Sequence, residues 1–225
     1  MDLDPLFIRN GLITYILLVA SFSFHEWAHA IVADSLGDDT PRTDGRVTLN
    51  PLVHLDLLGT VIIPLINIFV VGSSFSFIAW AKPVRVNRSN FRHRTRDDVL
   101  VTLAGPAANA AIALVTIVIG SMLVVAHPRL AELIHRIVLM NVGLAVFNML
   151  PVPPLDGGIL LRHAVGMSEE TFANISRFSG IVILIAININ AFQQLLGALV
   201  AVIGLPYWML CNWISPAAYS LIFPS

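Results

Sequence analysis

Six apolar runs, each about the length of a membrane-crossing helix, constrain the fold of this chain more than any other feature. They occupy roughly residues 8–33, 57–80, 98–126, 133–155, 178–205 and 206–223. Lipid offers no partner to a backbone amide, so such runs fold as helices unless protein shields them. The sequence therefore predicts an all-α polytopic membrane protein with about five to six transmembrane segments.

The composition supports this class and excludes others. Hydrophobic residues make up 56% of the 225 residues and charged residues 12%, a composition typical of a polytopic membrane protein and not of a soluble domain. The net charge of -1 and the absence of a basic amphipathic segment argue against a nucleic-acid partner. The single cysteine, Cys211, excludes an internal disulfide and a cysteine-rich zinc site. The first run lacks a basic start and a cleavage motif, so we expect a retained helix and no signal peptide.

Three polar residues interrupt the first apolar run: His25, Glu26 and His29. Residues four apart share a helix face, so His25 and His29 can offer their imidazoles to one metal ion. Glu26 lies about 100° further round the helix, within reach of a water on that metal. A chance HExxH is the alternative, but a charged residue costs about 2.5–3.5 kcal/mol at bilayer depth.

A second acidic residue at membrane depth, Asp156, follows the proline cluster at 151–154. Prolines remove amide donors and clash with the preceding turn, so the helix must end there. Unwound backbone at that depth is tolerated where it lines a cavity. Asp156 is therefore a candidate third metal ligand, with the cap of the next helix as the alternative role.

The polar segments predict the topology. The densest basic loop belongs in the cytoplasm and contains Lys82, Arg85, Arg88, Arg92, Arg94 and Arg96. Residues 57–80 must then enter the membrane and come back, with Gly72-Ser73-Ser74 as the expected reversal point. Residues 42–50 predict a short β-hairpin about Asp44-Gly45, and Asp56 is expected to cap the next helix. His54 and Asp56 are either edge groups of this kind or further metal ligands.

Together these residues resemble the site-2 protease family of intramembrane zinc metalloproteases (peptidase family M50), in its short form without PDZ or CBS domains. The resemblance covers most of residues 20–165. The matching stretches are residues 25–29, 45–52, 54–60, 81–84, 104–109 and 148–158. It implies a single membrane-embedded metalloprotease domain over residues 1–225, with a catalytic core at about 8–165 and additional transmembrane segments at about 170–223.

The resemblance also implies roles for particular residues. His25, His29 and Asp156 would hold one Zn²⁺ per chain, Glu26 would activate water, and Asn148 would bind the scissile peptide or its oxyanion. Further candidates for substrate binding are Asn109, Pro151, Pro153 and Lys82. For Asn109 an interhelical hydrogen bond is the alternative.

The expected activity is hydrolysis of peptide bonds in single-span membrane proteins by a zinc endopeptidase. We expect the protein in the plasma membrane, with the lipid bilayer around it and the active site near the cytoplasmic face. Glu26 lies about 18 residues, or roughly 27 Å, along the helix from Ile8, close to the far end of a span. The alternative is a transporter or metal-binding membrane protein that uses Glu26 and Asp156 as a proton or metal relay.

Overall fold

The fold is known from a computed structural model that describes residues 4–71 and 79–224. Its α-helices, in chain order, are α1 (Pro5–Ser35), α2 (Thr40–Thr43), α3 (Ile63–Ile66), α4 (Arg94–Leu123), α5 (Ala131–Asn148), α6 (Asp156–Val165), α7 (Glu169–Ala186), α8 (Asn190–Ile214) and α9 (Pro216–Ile222). Short 3₁₀ turns lie at Pro51–Val53, Arg88–Asn90 and Pro128–Leu130. Two π-helical segments, Leu57–Ile62 and Asn67–Val71, flank α3.

Four helices of the described residues are long and apolar enough to cross a membrane. They are α1, α4, α5 with its preceding 3₁₀ turn, and α8. The all-helical membrane class is therefore confirmed, whereas a count of five to six spans is not supported.

The boundaries of the last two predicted apolar segments differ from those in the structure. Pro206 lies inside α8, and the chain breaks instead between Ala186 and Asn190 and again at Ser215. A proline within a membrane helix is tolerated where neighbouring groups satisfy the freed carbonyl.

The prediction of a β-hairpin at residues 42–50 was wrong, since residues 4–71 and 79–224 contain no strand. Pro41 is well placed at the start of a helical turn, which α2 forms. Gly45 follows that turn with a φ of 67°, and the amide of Arg46 bonds back to the carbonyl of Pro41 at 2.8 Å. The local amides are thus satisfied by a helical turn and its glycine stop, which leaves no ladder to form.

Residues 57–71 and 79–84 lie side by side, as a segment that enters and returns requires. The amide of Trp80 donates to the carbonyl of Gly59 at 3.1 Å, and that of Lys82 donates to the carbonyl of His54 at 2.9 Å. Asp56 begins the first π-helical segment as predicted, accepting bonds from the amides of Leu58 and Gly59. The predicted reversal point at residues 72–74 lies outside the described residues.

Helix α4 is the centre of the packing, because it contacts α1 on one side and α5 on another. A buried apolar cluster joins α4 and α5 to α8 and α9, and includes Ile117, Val138, Val200 and Ile222. A smaller cluster packs Ala33 of α1 against Phe91 and Val101. Helix α4 therefore fixes α1, which carries two predicted metal ligands, relative to the rest of the bundle.

Candidate metal centre and active site

His25, His29 and Asp156 converge on one point, although 127 residues separate His29 from Asp156 in the chain. The Nε2 atoms of the two histidines are 3.1 Å apart. Nε2 of His25 lies 3.3 Å from Oδ2 of Asp156, and Nε2 of His29 lies 3.5 Å from Oδ1. The i, i+4 spacing of the histidines on α1 produces the first pair, and the start of α6 supplies the carboxylate.

The orientation of His29 is fixed by α4. Its Nδ1 lies 2.7 Å from the backbone carbonyl of Val101, so the proton of the neutral imidazole sits on Nδ1 and Nε2 carries a free lone pair. A carbonyl behind a histidine is the usual support of a metal ligand. His25 has no such support, because its Nδ1 is buried without a hydrogen-bond partner among residues 4–71 and 79–224.

A glycine allows α4 to approach this cluster closely. A Cβ atom on Gly105 would lie 2.4 Å from Nε2 of His29 and 2.6 Å from Nε2 of His25. Only hydrogen therefore fits at residue 105 while both imidazoles keep their positions. Nothing in the local sequence around Gly105 indicates this contact, which joins His29 to a residue 76 positions later in the chain.

A tight loop carries Asp156 to the histidines. Residues 149–155 leave α5 and turn back, with the amide of Leu155 bonded to the carbonyl of Val152 at 3.0 Å. A Cβ atom on Gly157 would lie 2.3 Å from the carbonyl oxygen of Met149, so the return requires glycine there. Asp156 is the first residue of α6, and no side chain caps that helix start. The capping role that the sequence left open for Asp156 is thus absent.

The donor set fits a divalent zinc ion. Two imidazole nitrogens and one carboxylate within 4.8 Å of one another are the ligands of a catalytic zinc site that keeps an open position. Oδ2 of Asp156 is buried and has no hydrogen-bond partner among the described residues, as expected of an atom reserved for a cation. His54 stands apart from this cluster, because its Nε2 bonds to the carbonyl of Thr48 at 2.9 Å.

Glu26 and Asn148 face the same cavity, which has a volume of about 590 Å³. Glu26 is 8% exposed, and its Oε2 accepts a hydrogen bond from the amide of Val84 at 3.0 Å. Asn148 is the last residue of α5, and its Nδ2 donates to the carbonyl of Leu144 at 2.9 Å, which leaves the second hydrogen of that amide nitrogen free. Glu26 and Asn148, the two residues predicted to act on water and substrate, thus line the same cavity as the three candidate metal ligands.

The structure places the other candidates away from the cavity. Asn109 is fully buried in α4, and its side-chain atoms have no hydrogen-bond partner among the described residues, so the interhelical bond weighed for it is absent there. Lys82 and Pro151 are exposed, and Pro153 is buried behind Gly158. None of these four lines the cavity. Their role in substrate binding stays a prediction.

A buried ionic cluster that the sequence did not reveal lies next to the centre. Oδ2 of Asp98 on α4 is 2.8 Å from Arg162 and 2.7 Å from His163, both on α6, and 2.7 Å from Arg88. The Asp98 and Arg162 side chains are 4% and 5% exposed. This cluster anchors the far end of the helix that begins at Asp156.

The polar turn beyond α1 is joined to the basic loop by a second, exposed pair. Arg85 donates to both carboxylate oxygens of Asp44, at 2.8 and 2.5 Å. Its guanidinium holds the pKa of the Asp44 carboxyl below the usual value. The pair ties the residues that follow Val84 to the turn after α2.

Comparisons with known proteins point to one family. The profile of Peptidase family M50 matches residues 121–187, which include Asn148 and Asp156. The chain is 39% identical over 161 residues to "Putative zinc metalloprotease YwhC" of Bacillus subtilis, covering 67% of this chain and 68% of that protein. It is 28% identical over 186 residues to "Putative zinc metalloprotease Rip2" of Mycolicibacterium smegmatis, covering 80% of this chain and 70% of that protein.

No solved structure matches the chain. None of these comparisons supports a transporter, the alternative that the sequence left open. With a relative that is 39% identical over two thirds of both chains, the protein belongs to peptidase family M50, the zinc metalloproteases of the site-2 protease type.

Proposed function

We propose that this protein is a zinc endopeptidase that cuts single-span membrane proteins within or beside the bilayer, close to its cytoplasmic face. The observation that carries the proposal is the convergence of His25, His29 and Asp156 beside Glu26 in one cavity of a bundle of apolar helices. Ionisable groups at this depth are expensive, and here they are gathered into a set suited to hydrolysis.

The ligands would be His25, His29 and Asp156. Bound zinc supplies a Lewis acid that polarises the peptide carbonyl and brings the pKa of water towards ~7. Glu26 then takes the proton of the attacking water and returns it to the leaving amine as general acid. The free N–H of Asn148 is available to the developing oxyanion.

The substrate must be unwound before it can be cut, since a helix hides its carbonyls in i to i+4 bonds. Residues 79–84 are not helical and border the cavity. The amides of Trp80 and Lys82 bond to residues 54–60, whereas the amide and carbonyl of Ala81 have no partner among the described residues. A substrate segment would add to this edge as an extended strand. Residues 42–50, where a β-hairpin was predicted, form no strand and offer no second edge of this kind.

The Glu26→Gln variant tests the activity. Purified protein in liposomes is given a single-span substrate, and Glu26→Gln is expected to abolish cleavage while zinc content stays at about one per chain. Cleavage by Glu26→Gln at the wild-type rate would refute the proposal.

Topology is tested by labelling single cysteines at Asn90 and Asp39, with Cys211→Ala as background. An impermeant thiol reagent is expected to label both only after cells are permeabilised. Labelling of either residue from outside intact cells would overturn the cytoplasmic placement of the site.

A further inference from the structure

We propose that the backbone N–H of Val84 positions the Glu26 carboxylate for proton transfer, so that the chain segment that receives the substrate also holds the base. The inference rests on the proposed function of Glu26. Its observation is the 3.0 Å hydrogen bond from the Val84 amide to Oε2 of Glu26, which joins residues 58 apart in sequence. Among the described residues this is the one hydrogen bond that the Glu26 carboxylate accepts.

Hydrogen bonds hold the chain on both sides of the donor. Before it, the amides of Trp80 and Lys82 bond to residues 59 and 54, and Pro83 fixes its own backbone angle and offers no N–H. After it, Arg85 is paired with Asp44. Val84 is therefore the next backbone donor in a segment with hydrogen bonds on both sides of it.

The bond constrains a side chain that otherwise has many rotamers. Glu26 sits on α1 beside His25, and its carboxylate must present one oxygen to the attacking water. With Oε2 tied to Val84, Oε1 is left for that water. A displacement of about 1 Å at a reacting group costs roughly 10²-fold in rate, so a fixed carboxylate has a direct effect on turnover.

Two amides of this segment then have separate roles. Ala81 belongs to the edge on which the substrate docks, and Val84 belongs to the positioning of the base. Loss of the Ala81 N–H is expected to raise KM, because it removes a hydrogen bond to the substrate. Loss of the Val84 N–H is expected to lower kcat and leave KM nearly unchanged.

The kinetic test replaces the Val84 amide with an ester by incorporating the α-hydroxy analogue of valine, which deletes one N–H and keeps the side chain. We expect kcat to fall by about 10- to 10²-fold, KM to change less than threefold, and zinc content to stay at one per chain. A wild-type kcat in the ester variant, or a rise in KM alone, would refute the inference.

A second measurement needs no activity. In the zinc-free protein, hydrogen exchange at the Val84 amide is expected to quicken at least tenfold in Glu26→Ala, because the acceptor is removed. Glu132→Ala, at an exposed site on α5, is the matched control and is expected to leave that rate unchanged. Equal exchange rates in Glu26→Ala and wild type would contradict the proposed bond.

The two proposals fail differently. If Glu26→Gln remains active, the base itself is misassigned. If Glu26→Gln is inactive and the Val84 ester retains wild-type kcat, the activity stands and only the positioning role of Val84 is lost.

Discussion

Replacing Gly105 with alanine is expected to empty the metal centre without unfolding the protein. The new Cβ would lie 2.4 Å from Nε2 of His29, and real Cβ atoms essentially never come closer than 3.0 Å to another heavy atom. The imidazoles, or α4 itself, must therefore move by roughly 0.6 to 1 Å. Metal ligands tolerate deviations of only about 0.2 Å, so the displacement exceeds what the site can absorb.

The expected loss of zinc affinity is at least about 10- to 100-fold, the effect typical of disturbing the groups that orient metal ligands. The same substitution is expected to stabilise helix α4 while it lowers zinc affinity. Alanine stabilises a helix interior by roughly 0.5–1 kcal/mol relative to glycine, so α4 itself is not weakened. A fall in zinc affinity with a preserved helical fold is thus the signature of the steric conflict.

The assay measures zinc by mass spectrometry after equilibration with a competing chelator, together with helix content by circular dichroism in the same detergent. Gly197→Ala is the matched control, because it lies in α8 and its added Cβ would meet nothing within 4 Å. We expect this control to bind zinc as the wild type does. Wild-type zinc affinity in Gly105→Ala would refute the packing of α4 against the histidines.

Three further outcomes are expected. Alanine at any one of the three ligands should sharply lower a zinc content of about one per chain, and full occupancy in any of these variants would remove that residue from the ligand set of His25, His29 and Asp156. Asn148→Ala should lower turnover by about 10²–10³-fold while zinc is retained; unchanged turnover would make its role structural. Asp98→Ala should cost about 3–5 kcal/mol of unfolding free energy, because it leaves buried cationic partners uncompensated, and a loss below about 1 kcal/mol in denaturant titration would contradict this.

The three candidate metal ligands and Glu26 could be picked out from the sequence because their signals are local and rare. His25 and His29 are four residues apart on one helix, and Asp156 and Glu26 stand out as acids within apolar surroundings. Lipid penalises ionisable groups strongly, so an ionisable residue within an apolar run is a candidate functional residue. The all-helical class could also be predicted, because the length of the apolar runs is enough to indicate membrane-spanning helices.

The groups that support the centre could not be predicted, because they act through contacts between distant segments. The amide of Val84 carries no side-chain signal at all, and the carbonyl of Val101 is one of many in α4. Asp98 and Arg162 had the appearance of ordinary polar residues at helix ends, and so did His163. Its contact with Asp98 spans 65 positions in sequence.

Local signals also misled where two structures compete for one pattern. Asp44-Gly45 is favourable in a hairpin, but Thr40-Pro41 favours a helical turn that uses the same glycine as its stop. Pro206 has the appearance of a helix end, yet α8 continues through it to Ile214. In both cases the pattern is compatible with two local structures, and the neighbouring residues favour one of them.

The division of the centre between α1 and α6 has a consequence for biogenesis. At about 5–20 residues per second, the ribosome makes Asp156 roughly 6 to 26 s after the histidines of α1. Throughout that interval, α1 resides in the translocon or the bilayer with two imidazoles and a carboxylate on its surface. The first partners to arrive are the Val84 amide for Glu26 and the Val101 carbonyl for His29. The complete set of three candidate ligands can therefore exist only after α6 has been made, whereas the backbone groups of residues 84 and 101 precede it in the chain.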